Sequence, residues 1–241
     1  MNAPTDAGPT GGQEPPEVPA GDDTTRARIL RTATRLFATH GYEATGIRQI
    51  GREVGISSSV LYHYVGSKED LLLGIMTEDL TFVVDKTRKM LELCDNPVDE
   101  VAGLVRAQIM IDVFKRPSSL VVDSEIRSIP QHRRAEIIGL RDEVEEFWKK
   151  AIADGIREGA FRHPHPSLAR LAILGLATGV QNWYTTSGPL SLQEVCGSHA
   201  LSAVRLLTGQ PGVDAETESR ILNHAIADEW AIVTSEEVSG A

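Results

Sequence analysis

The run TGIRQIGREVGISSSVLYHY, residues 45–64, constrains the fold more than any other part of the chain. Ile47, Ile50 and Val54 repeat at helical spacing, and Ile56, Val60 and Leu61 form a second short apolar set after Gly55. A glycine between two such patterns ends one helix and turns the chain into the next. Thr45 stands at the expected N-cap of the first helix and Ser57 at that of the second. Two short helices joined by so tight a turn predict a helix-turn-helix unit.

The flanking periodicities are helical as well, and no strand-like alternation persists anywhere. Ile29, Leu30, Ala33, Leu36 and Phe37 make one apolar stripe, predicting a helix over 24–40 that Gly41 closes. Ser67 is placed to cap a long helix running to about Cys94. Further helices are predicted over 98–115, 118–127, 131–158, 167–186 and 192–208, separated by Pro117, Pro130, the HPHP run at 163–166 and the SGPLS turn. A last amphipathic stretch, 215–233, places Leu222, Ile226, Trp230 and Val233 on one side. Residues 1–22 are rich in Pro, Gly, Asp and Glu, with Val18 nearly alone among large apolar residues. A disordered tail is expected there, and it lacks the basic start and apolar run of a signal peptide.

Charge separates the helix-turn-helix region from the remainder. The net charge is −10, which is unusual for a chain that meets nucleic acid. Residues 24–70, however, hold seven Lys/Arg against four acids, leaving 17 Lys/Arg against 30 acids elsewhere. A phosphate backbone attracts the first part and repels the second, which orients an approach. The helix after Gly55 begins with Ser57, Ser58 and Ser59, small hydroxyl residues that, with the free N–H groups of a helix start, suit phosphate oxygens. Ile56, Val60 and Leu61 are expected to anchor it from behind. Tyr62, His63 and Tyr64 then offer hydroxyls and ring edges to sugar-phosphate or bases, and Lys68 offers a further phosphate clamp. A glycine-interrupted helical hairpin is also a common packing element, so the pattern by itself leaves both readings open.

The segments ILRTATRLFATHGYEAT, IRQIGREVGIS and VLYHYVGSKEDLL together resemble the N-terminal domain of TetR/AcrR transcriptional regulators, continuously over about residues 24–76. The resemblance implies an all-α fold: a three-helix DNA-binding domain over 23–70, and a larger helical effector-binding and dimerisation domain over 71–210. Residues 211–241 are left as an extension that either docks as a helix or stays loose. It further implies that Thr45, Arg48, Ser57, Ser58, Tyr62, His63, Tyr64 and Lys68 occupy positions that touch DNA. Ser59, Gly51 and Gly46 depart from the residues usual in the family, and the two glycines are expected to weaken the second helix by up to about 1 kcal/mol each. The stretch GIREGAFRHPHPSLARLAILGLATGVQNWYTTSGPLS is similar to the C-terminal part of regulators of fatty-acid and sterol degradation, several of which respond to acyl-CoA thioesters; Trp183-Tyr184 is its most suggestive part.

The expectation is therefore a homodimeric, cytoplasmic repressor on a palindromic double-stranded DNA operator, released by a small hydrophobic effector. The first choice of effector is acyl-CoA-like or lipid-derived; the alternative is an amphipathic drug, as in efflux regulation. Phe82, Met110, Phe114, Phe147, Trp148 and Trp183 are candidates to line the effector pocket, or else ordinary core. The small residues Ala172, Gly175, Ala177 and Gly179 suggest close helix packing, either next to a ligand or, preferably, between subunits. Arg127, Arg133 and Arg134 belong to a solvated loop or meet an anionic effector group. Cys94 and Cys196 are expected to be plain buried thiols, and His163 and His165 a surface loop rather than a metal site. No cofactor, membrane span or catalytic motif (GxSxG, P-loop, HExxH, dinucleotide fingerprint) is expected.

Overall fold

A computed structural model describes residues 22–209 and 212–234; the predicted tail at 1–22 lies almost wholly outside them, as does the end of the extension beyond 234. Among the described residues there are eleven α-helices and no strand: α1 Asp22–His40, α2 Ile47–Val54, α3 Ser58–Val65, α4 Lys68–Leu91, α5 Pro97–Phe114, α6 Arg116–Ser124, α7 Ala135–Arg157, α8 Pro166–Thr178, α9 Leu192–Thr208, α10 Ala215–Leu222 and α11 Ala227–Thr234. The all-α expectation holds. The long helix predicted over 131–158 starts later, after a 3-10 turn at Gln131–Arg133, and the one over 167–186 gives way to a 3-10 turn at Gly179–Asn182. The single stretch expected over 215–233 is two helices, both folded onto the body.

Local chemistry sets these limits. Gly41 and Gly55 both sit at φ +82°, where a side chain is strained, and their N–H groups close the helices behind them. The Ser57 hydroxyl accepts from Val60 N–H (3.3 Å) and that of Ser67 from Asp70 N–H (3.0 Å), as their sequence positions predict. Asn96 caps α5 through its side-chain oxygen, ahead of Pro97 in the first turn.

Two apolar cores form, and α4 joins them. Leu71, Leu72, Ile75, Met76 and Leu80 pack with α1, α2 and Leu61 of α3; Val83 and Met90 pack with α5, α7, α8 and α9. The first core is not confined to the N-terminal helices. Val121 and Val122 of α6, Ile129, and Ile137 of α7 complete it, so α6 lies directly against α1. At about 1.5 Å per residue, α4 is a rod of roughly 36 Å running through both cores.

Candidate functional site

The N-terminal helices hold α3 at the surface. Leu61 is fully buried, whereas Tyr62 is 48% exposed and Ser59 and His63 are also exposed. Val60, expected behind the helix, is 41% exposed and belongs to the outward face instead. Tyr64 is half-buried, packs on the N-terminal core, and meets the His63 ring edge-to-face at 5.8 Å. The outward face of α3 thus consists of Ser58, Ser59, Val60, Tyr62 and His63.

Beside the start of α3, Arg48 and Arg52 of α2 line a shallow concavity of about 450 Å³ with Ile56, Ser57 and Ser58. Two guanidiniums one turn apart facing free helix N–H groups suit a phosphate. Arg52 is not among the sequence candidates; its spacing of four from Arg48 is the signal that places it on the same face. Two other basic residues of the region have partners within the chain. Arg28 donates to the Val54 carbonyl at the end of α2 (2.7 Å), and Arg35 pairs with Glu53.

Lys68 sits with its Nζ 4.1 Å from the centre of the Tyr42 ring and donates to the Glu43 carbonyl (3.5 Å). These contacts hold it at the first turn of α4, against the loop after α1. Thr45 is corrected by the structure: it is fully buried, and its hydroxyl donates to the Gly41 carbonyl (2.9 Å). Its role is to pin the loop between α1 and α2, and Gly46, not Thr45, precedes α2. Gly46 therefore lies outside the helix it was expected to weaken. Gly51 lies inside it for a reason: a Cβ there would stand 2.9 Å from the Ile56 carbonyl oxygen. The glycine lets the turn close against α2.

Neither described cleft is lined by any of the six candidate effector residues. Met110 and Trp148 are buried in the second core, and Phe82 and Phe147 pack against it. Phe82 and Phe114 stack at 6.4 Å, and Trp230 of α11 meets Phe114 edge-on at 6.0 Å. Lys115 Nζ lies 4.3 Å from the Phe82 ring centre. Trp183 is apart from these, 51% exposed and stacked on His199 at 6.1 Å. A cleft of about 220 Å³ instead opens between Val113, Arg116, Gln181, Tyr184, Thr185 and Thr186, none of them among the six. Two of the arginines around Pro130 act within the chain: Arg133 pairs with Asp70 and with Glu69 (3.6 Å) at the start of α4, and Arg134 donates to the carbonyls of Ile129 (2.6 Å) and Arg127 (2.9 Å).

Three carboxylates in this region are held protonated more readily than usual. Burial pushes Asp112 up to about 7 and raises Asp79 and Asp123 as well. Asp79 on α4 accepts from Ser118 on α6 and lies 3.6 Å from Lys115, tying α4 to the α5–α6 junction. Burial also lifts the thiols of Cys94 and Cys196 to about 11 and about 12, so neither is a ready nucleophile.

Away from α3, α8 turns Leu168, Leu171, Ala172, Gly175 and Leu176 outward at i, i+3, i+4, i+7, i+8 spacing. Ala177 is buried within the subunit. Beside it α9 exposes Ser198, Ser202 and Leu206. Together they form a strip of exposed leucines and small residues.

Residues 29–75 match the family described as bacterial regulatory proteins, tetR family, and residues 94–207 match the tetracyclin repressor-like C-terminal domain. The HTH-type transcriptional repressor KstR2 of Mycolicibacterium smegmatis is 24% identical over 182 residues, covering 75% of this chain and 89% of that protein. The crystal structure of the TetR family regulator PfmR from Thermus thermophilus superimposes with a TM-score of 0.67 at 30% identity, covering 74% of this chain and 97% of that one. AibR, crystallised with isovaleryl coenzyme A and operator DNA, shares the fold at a TM-score of 0.68 and 23% identity, over 78% of this chain and 100% of its own.

Proposed function

The chain belongs to the TetR family of transcriptional regulators, and from that premise we propose that it is a cytoplasmic homodimeric repressor that leaves a palindromic operator when a lipid-derived, acyl-CoA-like effector binds. The observation that carries the DNA-binding part is the outward face of α3, with Ser59, Tyr62 and His63 exposed beside the Arg48–Arg52 concavity. Ser57, Ser58 and Lys68 join them as phosphate or base contacts, while Tyr64 supports the face from within. Two copies related by a two-fold axis set their recognition helices in successive major grooves about 34 Å apart. The α8–α9 strip is the surface through which the copies meet, since a contiguous apolar patch of leucines and small residues suits a self-complementary interface.

The effector class rests on kinship. KstR2 is a repressor whose Mycobacterium tuberculosis form is described as a ketosteroid transcriptional regulator, and AibR binds isovaleryl coenzyme A. Domain limits near 70 and 210 follow the same division, with α4 as the lever shared by both parts. An effector shifts the protein off DNA only if it binds the DNA-incompetent arrangement better.

The test is a mobility-shift assay with the DNA upstream of the protein's own gene. Sequence-preferring binding that weakens steeply with salt supports the proposal; its absence overturns it. A panel of acyl-CoA thioesters, free fatty acids and cationic dyes in a thermal-shift assay tests the effector. Stabilisation by the dyes alone replaces the acyl-CoA class with an amphipathic drug.

A further inference from the structure

The cleft at the junction of α5 and α6 contains two polar groups that the protein leaves unsatisfied. Gln181, on the 3-10 turn after α8, is 4% exposed. Its Nε2 donates to the Asp123 carboxylate at 2.9 Å, whereas its Oε1 is buried with no hydrogen-bond partner. Leaving a buried amide oxygen unpaired costs about 1–3 kcal/mol, and folded proteins rarely tolerate it without a reason. Arg116, which also lines the cleft, is exposed, and its guanidinium makes no ion pair or hydrogen bond among the described residues. Thr185 and Thr186 add hydroxyls, and Val113 and Tyr184 supply apolar wall. The lining therefore asks for a ligand with an anion for Arg116, an N–H or O–H donor for Gln181 Oε1, and a short apolar section. At about 220 Å³ the cleft is below the roughly 300–1,000 Å³ of a pocket that encloses a whole ligand.

We propose that this cleft binds the phosphopantetheine arm of a CoA thioester effector, with its phosphate on Arg116 and an amide N–H or hydroxyl donated to Gln181 Oε1. The arm combines those three features in a slender chain, and the remainder of the ligand extends beyond the cleft. The inference rests on the acyl-CoA reading given above and adds to it the site and the residues that recognise the non-acyl part. Asp123 holds the other end of the amide, and because Oε1 has almost no accessible surface, the side chain must turn slightly to meet the ligand's donor.

The test is calorimetric titration of the full chain with pantetheine, pantetheine 4′-phosphate and a series of acyl-CoA thioesters. Pantetheine 4′-phosphate is expected to bind the parent protein. Arg116→Ala, an exposed change that leaves the fold intact, should weaken pantetheine 4′-phosphate and the thioesters by about tenfold or more while leaving pantetheine unchanged, and Arg116→Lys should restore part of the loss. Gln181→Leu should weaken all three ligand types by about tenfold. Thioester binding that is equal in the parent and in both variants overturns the assignment of the cleft while the acyl-CoA reading stands. Absence of binding by every thioester overturns both.

Discussion

Arg106 Nε donates to both carboxylate oxygens of Glu229, at 2.9 and 3.1 Å, across 123 positions of sequence and with both side chains about 95% buried. The pair fastens α11 to α5, next to the Trp230–Phe114 contact. Removing one partner strands the other charge in the core. Glu229→Ala is expected to destabilise the protein by about 3–5 kcal/mol, whereas the double change Arg106→Met, Glu229→Leu should cost much less. Chemical denaturation of the two variants checks this; equal losses would mean that the pair itself, rather than the stranded charge, is what matters.

Gly51→Ala reverses the ordinary rule that alanine strengthens a helix. In an open helix the change gains about 1 kcal/mol. Here the new methyl group meets the Ile56 carbonyl at 2.9 Å, so the turn before α3 must shift. The variant is expected to lose stability and DNA affinity together. Gly46→Ala, with nothing within 4 Å of its Cβ position, avoids that clash and should cost only the loss of a glycine cap, about 0.5–1 kcal/mol. Thermal melts and a mobility shift on both variants separate them.

These glycines show how far the sequence could be read. Helix periods and caps are local, so Ser57, Ser67, Gly41 and Gly55 declared the elements around the turn correctly. Whether a residue on such an element faces in or out depends on packing partners far along the chain. Thr45 looked like a free cap but closes the α1–α2 loop on itself, and Val60 looked internal but faces out. The effector region was least legible. Aromatic residues on converging helices suggested a pocket, yet Met110 and Trp148 fill core and Trp183 lies apart. The cleft is built from a glutamine, an arginine and two threonines that carry no periodic signal and come together only through the α5–α6 junction and the turn after α8.

Asp112 makes stability depend on pH. Burial lifts its carboxyl to about 7, with Gln108 Nε2 donating to it at 3.0 Å. In the unfolded chain the same group titrates near 3.9. The folded state therefore holds a proton that the unfolded state has lost over the window from about pH 4 to about pH 7, and stability falls as pH rises through it. Above pH 7 the buried charge costs up to about 4 kcal/mol. Asp112→Asn should remove this dependence, so that its stability advantage over the parent grows from pH 5 to pH 8. Urea denaturation at both pH values checks the sign; an advantage that shrinks with pH would contradict the burial argument.

On the proposed DNA-binding face, Tyr62 and Lys68 are expected to contribute in different ways. Tyr62 stands in the middle of the outward face of α3, so Tyr62→Ala should lower affinity for the operator and reduce its preference over unrelated DNA, with little change in melting temperature. Lys68 lies at the start of α4, over the Tyr42 ring. Lys68→Ala should weaken binding to all sequences alike and reduce the slope of log K against log salt by about 0.9. It also loses the ring contact, worth about 0.5–1 kcal/mol at such a site. Affinities measured at several salt concentrations on specific and unrelated duplexes distinguish the two effects.

Leu171 is the residue on which to test assembly. It is 56% exposed in the middle of the α8 strip, with Leu168 at 62% and Leu176 at 41% on the same side. A charge there is tolerated by a monomer, because the side chain already faces water. In a two-fold interface the same residue meets the partner's strip, and two carboxylates are brought close together out of water. Leu171→Glu is therefore expected to give a folded, helical protein that sediments as a monomer. Its operator affinity should fall by several orders of magnitude, since one recognition helix alone reads only half of the site. Leu190, 48% exposed in the loop after the 3-10 turn, serves as the control: Leu190→Glu should leave the dimer intact. Sedimentation velocity on the two variants decides the matter. A dimer that survives Leu171→Glu would place the subunit contact somewhere other than α8.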